Sequence, residues 1–156
     1  MSNIRCVILS GLAGAGKSTI ARSLTTGLPI SNYVIASADD YFTQYGNAPY
    51  NFVPSLLPDA HAECYLNFLA ACALRVPLVI VDNTNLQGWE IAPYYRHAEA
   101  VGYDVSITKV LIDVPTAAAR NVHSVPLKAI ESMAKRHGNG WCPHWNVVTQ
   151  NNMNTV

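Results

Sequence analysis

Apolar residues in this chain gather in short unbroken runs. Cys6-Val7-Ile8-Leu9 and Leu78-Val79-Ile80-Val81 are apolar at every position. Continuous runs of this length suit strands covered on both faces, as in a parallel sheet, whereas strict alternation would mark a half-solvated strand. With two weaker segments they predict strands over 3–10, 33–37, 77–82 and 103–111. The stretches between them predict helices over 17–27, 57–74, 87–101 and 126–137. Strands alternating with helices imply right-handed crossovers and an α/β three-layer sandwich around a central parallel sheet. Ligands in such folds sit outside the C-terminal strand ends. The polar residues that follow each strand are therefore the candidates for chemistry. Residues 43–56 read as a long loop of the functional kind. Residues 146–156 read as a loose, Asn-rich tail, which leaves 1–145 as one domain.

Composition narrows the class. The chain has 156 residues, 50% of them hydrophobic and 13% charged, enough apolar material for a core. No apolar run approaches the ~20 residues of a membrane span, so no membrane partner is expected. The four cysteines (Cys6, Cys64, Cys72, Cys142) form no CxxC pair and read as reduced thiols of a cytoplasmic protein, bacterial or in a phage-infected host. Cys142 and His144, with His137 nearby, lack the second paired cluster of a zinc site. Net charge is zero but uneven. Residues 1–108 hold five Lys/Arg against eight Asp/Glu, and residues 109–156 hold five against two. That is a local basic patch, not the footprint of a strong non-specific nucleic-acid binder.

The sharpest motif follows the first run. Gly11-Leu12-Ala13-Gly14-Ala15-Gly16-Lys17-Ser18-Thr19 is G-x-x-x-x-G-K-S between a predicted strand and a predicted helix. Its glycines let backbone N–H groups curl around phosphate oxygens, and the helix N-terminus adds its dipole. Gly11, Ala13, Gly14, Ala15, Gly16, Lys17, Ser18 and Thr19 are thus the expected ATP cradle. Lys17 is placed to reach the β- and γ-phosphates, and the Ser18 hydroxyl to ligate Mg²⁺. Asp82, in Val81-Asp82-Asn83-Thr84-Asn85 at the end of the third run, is the second expected Mg²⁺ ligand. Asn83 and Thr84 offer uncharged donors and acceptors to an acceptor, while Asn85 suits an Asx turn.

Ser37-Ala38-Asp39-Asp40-Tyr41-Phe42 follows the second strand. An acceptor hydroxyl needs a carboxylate to orient it and take its proton, and Asp39 is the expected base. Asp40 points elsewhere, either at the acceptor or at the scaffold. Arg120-Asn121-Val122-His123-Ser124-Val125-Pro126 reads as a helix breaking into a short lid. Arg120 there would lie across the nucleotide and stabilise the departing γ-phosphoryl charge, and His123 would add a donor to the acceptor. Tyr94, Tyr95, Trp89 and Glu90 have the spacing of helix packing and capping.

GLAGAGKST, SADDYF, AHAEC, VDNTN, E-x-x-P-Y and RNVHSVP together resemble P-loop kinases related to polynucleotide 5′-kinases. The likeness is strongest to the small kinase-like domains near NEDD4-binding proteins and in phages, and it spans residues 4–137. It implies ATP and Mg²⁺ as cofactors, and transfer of the γ-phosphoryl group to a hydroxyl on nucleic acid, DNA ahead of RNA. It carries Lys17, Ser18, Asp39 and Arg120 over as phosphate, metal, base and lid residues. Phage end-healing kinases have an arginine three residues after the base, where this chain has Phe42, and their lids are longer and more basic. Relatives in phages with modified DNA phosphorylate the hydroxymethyl group of a thymine-like base. Phe42, Tyr41 or Val125 would then stack on an extruded base. A small-molecule kinase for a nucleoside or sugar, and a nucleotide-binding regulatory module, are the alternatives.

Overall fold

The apolar run after Arg5 becomes the middle strand of a five-stranded, all-parallel sheet in this computed structural model. The model describes residues 3–121 and 123–152. Val122 of the expected lid and residues 153–156 of the expected tail lie outside the described residues. The strands are β1 (Arg5–Ser10), β2 (Tyr33–Ala36), β3 (Leu78–Asp82), β4 (Asp104–Leu111) and β5 (Val147–Asn151), in the order β2-β3-β1-β4-β5. Helices α1 (Lys17–Thr25), α2 (Asp39–Phe42), α3 (Leu57–Ala73), α4 (Gly88–Ala100), α5 (Val114–Arg120) and α6 (Leu127–Arg136) connect them. β1 is apolar throughout because both its faces are covered. Cys6 and Ile8 pack under α3 and α4 with Phe68, Ile91 and Tyr94. Val7 and Leu9 pack under α1, α5 and α6 with Ile20, Ala117 and Ile130.

β5 is a correction to the expected tail. Residues 147–151, read as loose, form a parallel edge strand on β4, with Ile107 opposite Val147 and Leu111 opposite Asn151. All five of its residues are exposed, so no apolar run announces it. Its pairing rests on backbone hydrogen bonds, continued by Ile107 N–H to Asn146 O (2.8 Å) and Asn152 N–H to Leu111 O (2.7 Å).

Register brings the strand ends level. Leu9 lies opposite Asp82, and Ser10 opposite Lys109. Ser10, Asn83 and Asn85 are the buried polar side chains among the described residues, and all three lie at this end of the sheet. Asn85 sits at φ +45°, a left-handed conformation that asparagine tolerates. Its Nδ2 donates to Leu9 O (2.8 Å), and its own carbonyl accepts from Ser10 Oγ (2.7 Å). Gly11 N–H closes the corner on Thr84 O at 2.9 Å. The Ser10 hydrogen is committed to Asn85, so His137 Nε2–H donates to Ser10 Oγ, 2.9 Å away. Burial, reinforced by Lys109 and Lys17, lowers the His137 pKa to about 4 and keeps the ring neutral.

The turn after α6 is docked on the start of α4. Gly138 N–H and Trp141 Nε1–H both donate to Leu86 O, at 2.9 and 2.8 Å. Gly88 N–H donates to Asn139 O at 2.8 Å. A Cβ on Gly88 would lie 1.8 Å from the Gly140 carbonyl oxygen, so no side chain fits.

Gly88→Ala should cost about 1–3 kcal/mol, the usual range for overpacking. Thermal melts should show roughly 2–4 °C lost per kcal/mol for a chain of this size. The folded protein holds His137 neutral down to about pH 4, while the unfolded chain takes up the proton near 6.5. Its stability contribution is therefore full above pH 6.5 and lost as pH falls towards 4. His137→Gln keeps a donor for Ser10 without the titration. Melts between pH 7 and 4 should fall less steeply for this variant than for wild type.

Candidate active site

The loop between β1 and α1 is tightly shaped. Gly14 has φ +82°, and a Cβ there would lie 2.1 Å from the Ala117 carbonyl oxygen, so α5 rests directly on the loop. Ala15 is buried; its N–H donates to Leu12 O and its carbonyl accepts from Asn152 Nδ2 at 2.9 Å. These two residues set the loop's shape, and Gly11 ties it to Thr84. Ala13 is half-buried and Thr19 exposed, its Oγ1 accepting from Arg22 (3.3 Å). α1 begins at Lys17 behind Gly16 at φ +96°. Lys17 Nζ donates to the carbonyls of Gly11 (3.0 Å) and Leu12 (2.8 Å) inside the loop. Burial lowers its pKa to about 8, opposed by the carboxylates of Asp82 and Asp39. Ser18 Oγ donates to Asp82 Oδ2 at 3.1 Å. Burial raises the Asp82 pKa, and Lys17 and Ser18 hold it down. A hydroxyl and a carboxylate in contact beside the loop are the hard oxygen donors that Mg²⁺ takes, so the pair fits that ion. Arg120 is exposed at the C-terminal end of α5, three residues after Ala117.

Asp39 opens α2 just beyond β2. The corner is held from β3, where Asn83 Oδ1 accepts Ala38 N–H at 2.8 Å. Asn83 Nδ2 donates to Cys64 Sγ on α3 at 3.5 Å. The two acids diverge. Asp39 Oδ1 accepts from the Tyr50 hydroxyl at 3.4 Å, and Asp39 Oδ2 lies 3.7 Å from His123 Nε2. Asp40 lines a groove of about 390 Å³ between β2 and α3, with Ala70, Leu74 and Val76. Burial, then Asp39 and Asp82, raises the Asp40 pKa. Tyr50 and His123 are in ring contact, centroids 4.0 Å apart and planes 31° apart. Burial and the adjacent Asp39 push the Tyr50 hydroxyl up to about 12. The lid and the 43–56 loop thus meet over Asp39.

Three of the residues expected to touch the acceptor are engaged by the scaffold. Phe42 is buried (5% exposed), its ring edge-on to Tyr41, Tyr50 and Phe52 at 5.5, 6.2 and 5.1 Å. It supports the site from beneath and has no face for a base. Val125 packs against the α1–α6 core, and its carbonyl accepts from Asn121 Nδ2 (2.7 Å). Asn83 uses both ends of its amide on the scaffold. Tyr41 is half-buried against the α3 core, and Thr84 contributes its carbonyl to Gly11. Tyr50, His137 and Asn152 carry roles that sequence reasoning missed. Tyr50-x-Phe52 between Pro49 and Pro54 was the available signal, since residues two apart in an extended segment point the same way.

A family model described as an AAA domain (AAA_33) matches residues 6–137. The chain is 36% identical over 140 residues to NEDD4-binding protein 2 of Homo sapiens, covering 84% of this chain and 7% of that much longer protein. A chain of the Pnkp1/Rnl/Hen1 RNA repair complex superposes with TM-score 0.61 at 20% identity, over 87% of this chain and 44% of its own. The Mycobacterium tuberculosis APS kinase CysC, in complex with AMPPNP and APS, superposes with TM-score 0.61 at 15% identity, over 99% and 92%. At such identities the structural likeness speaks for the fold. With the family model covering most of the sequence, this chain belongs to the AAA_33 family of AAA domains.

Proposed function

We propose that the chain is an ATP-dependent kinase that transfers the γ-phosphoryl group to a hydroxyl on nucleic acid, DNA ahead of RNA. One observation carries this reading. The loop headed by Lys17, the Ser18–Asp82 pair (3.1 Å) and Asp39 all follow the C-terminal ends of three neighbouring parallel strands, β1, β3 and β2. That placement supports a phosphate-holding group, a metal pair and an acceptor base serving one reaction. In-line transfer needs that arrangement, because the protein's part is positioning and charge stabilisation. Lys17 and the loop amides hold the phosphates. Ser18 and Asp82 would hold Mg²⁺, which supplies charge neutralisation at the phosphates. Asp39 orients the acceptor hydroxyl and takes its proton. Arg120 neutralises charge on the departing group.

A second reading has its own support. Phe42 stands where end-healing kinases of this type have an arginine, and aromatic rings surround Asp39. A neutral acceptor such as the hydroxymethyl group of 5-hydroxymethyluracil in DNA fits that lining. A nucleoside or sugar kinase is the small-molecule alternative.

Label transfer from γ-labelled ATP to two oligonucleotides separates these readings. One has a free 5′-hydroxyl; the other has a blocked 5′-end and an internal 5-hydroxymethyluracil. Label on either supports the proposal and names the hydroxyl. Label on neither, with transfer to nucleosides or sugars, overturns the nucleic-acid acceptor. Lys17→Ala and Asp39→Ala should each lower the rate at least ~100-fold, the usual size of a lost positioning or proton-transfer group. Asp39→Asn should keep ATP affinity while losing transfer; equal loss of both would assign Asp39 to the nucleotide. A polyphosphate facing Lys17 raises its pKa from about 8. ATP binding between pH 8 and 9 should therefore take up a proton. Calorimetry in buffers of different ionisation enthalpy should detect that uptake in wild type and not in Lys17→Arg, which is charged throughout.

A further inference from the structure

The rings beside Asp39 are arranged as well as present. Tyr50 and Phe52, two residues apart, hold their planes within 3° of parallel with centroids 6.5 Å apart. Phe42 meets both of them at about 70°, from a buried position. One buried ring braced edge-on against two parallel rings fixes both, so little side-chain freedom remains to be lost on binding. Tyr50 is tied at its far end to Asp39 and is covered by His123. Phe52 is different. It is 46% exposed: Phe42 holds its edge from the core, and part of the ring stays open to solvent.

We propose that Phe52, held parallel to Tyr50, is a stacking platform for the nucleobase of the acceptor, on the side of the site where Tyr50 bonds Asp39. The inference rests on Asp39 being the acceptor base, and it names what the acceptor site recognises. A flat heteroaromatic ring is the ligand that parallel rings select. Stacking is tolerant of base identity, because every base has a π-face. The Tyr50 hydroxyl donates to Asp39 Oδ1 at 3.4 Å, and its ring centroid lies 6.5 Å from that of Phe52, which ties the platform to the carboxylate. The base could belong to a polynucleotide or to a free nucleoside, and the experiment distinguishes them.

The test reads binding and turnover separately. In the Asp39→Asn background, which halts transfer, an oligonucleotide carrying 2-aminopurine at the acceptor nucleotide reports stacking by loss of fluorescence. Quenching that Phe52→Ala removes and Phe52→Tyr retains supports the platform. With Asp39 intact, Phe52→Ala should raise the acceptor KM about 10-fold, equivalent to about 1.4 kcal/mol, and leave kcat within about 2-fold. An acceptor with an abasic site at that nucleotide should show no difference between wild type and Phe52→Ala. Phe52-dependent quenching of 2-aminopurine riboside, with none for the oligonucleotide, would support the platform and overturn the polynucleotide acceptor. Unchanged KM and unchanged quenching in Phe52→Ala would overturn the platform, whichever acceptor takes the label. Because Phe52 is partly exposed, the variant should melt with wild type, and that melt serves as the folding control.

Discussion

A clasp of buried hydrogen bonds at the ends of β1 and β3 is the constraint on which the site depends. A buried polar group left without a partner costs about 1–3 kcal/mol, so side chains of this kind are kept only where each atom is matched. Ser10 and Asn85 satisfy each other and the backbone of Leu9, and His137 completes Ser10. Asn83 does the same for Ala38 and Cys64. Apolar packing fills both faces of the sheet, but it is non-directional and would tolerate small slips between strand ends. Directional bonds between particular atoms do not. They fix the phosphate loop, Asp82 and Asp39 relative to one another.

The two sides of the candidate site are built differently. The glycine-rich loop is framed by β1, α1 and α5, with Gly14 pressed against Ala117. The Asp39 side rests on α2, a four-residue helix, and on a long loop. A single helical turn has no stability of its own. Here it is held by Asn83 on one side and by the aromatic packing of Phe42 on the other. Loops and short turns of this kind vary at little cost to the core.

The parts legible in the sequence were those with a strong local signature. The continuous run Cys6–Leu9, the glycine spacing after it and Asp82 at a strand end each reflect burial on both faces or backbone geometry imposed by phosphate. Asn85 as a structural turn residue and Glu90 as a helix-capping residue were likewise readable, the latter bonded to Gln87 N–H. Tyr94 and Tyr95 are buried as their spacing implied, while Trp89, on the same helix, is 72% exposed. β5 was not legible, because an exposed edge strand is specified by its neighbour's backbone and not by its own side chains. The burial of Phe42 was not legible for a related reason. Its position after Asp39 placed it at the site, but only the fold shows that its ring turns inward. Tyr50 and His123 are 73 positions apart and meet only in three dimensions.

The central place of β1 also has a consequence in time. β1 is made before both of its partners, β3 and β4, which come more than 65 residues later, and β5, beyond β4, comes later still. Contacts this distant along the chain are slow to form, because the intervening segment must first be drawn in. The Gly11–Lys17 loop is therefore tied to Thr84 only once β3 has docked, and Asn152, just beyond β5, reaches Ala15 later still. On that order the loop takes its shape as a result of the sheet's assembly and does not guide it.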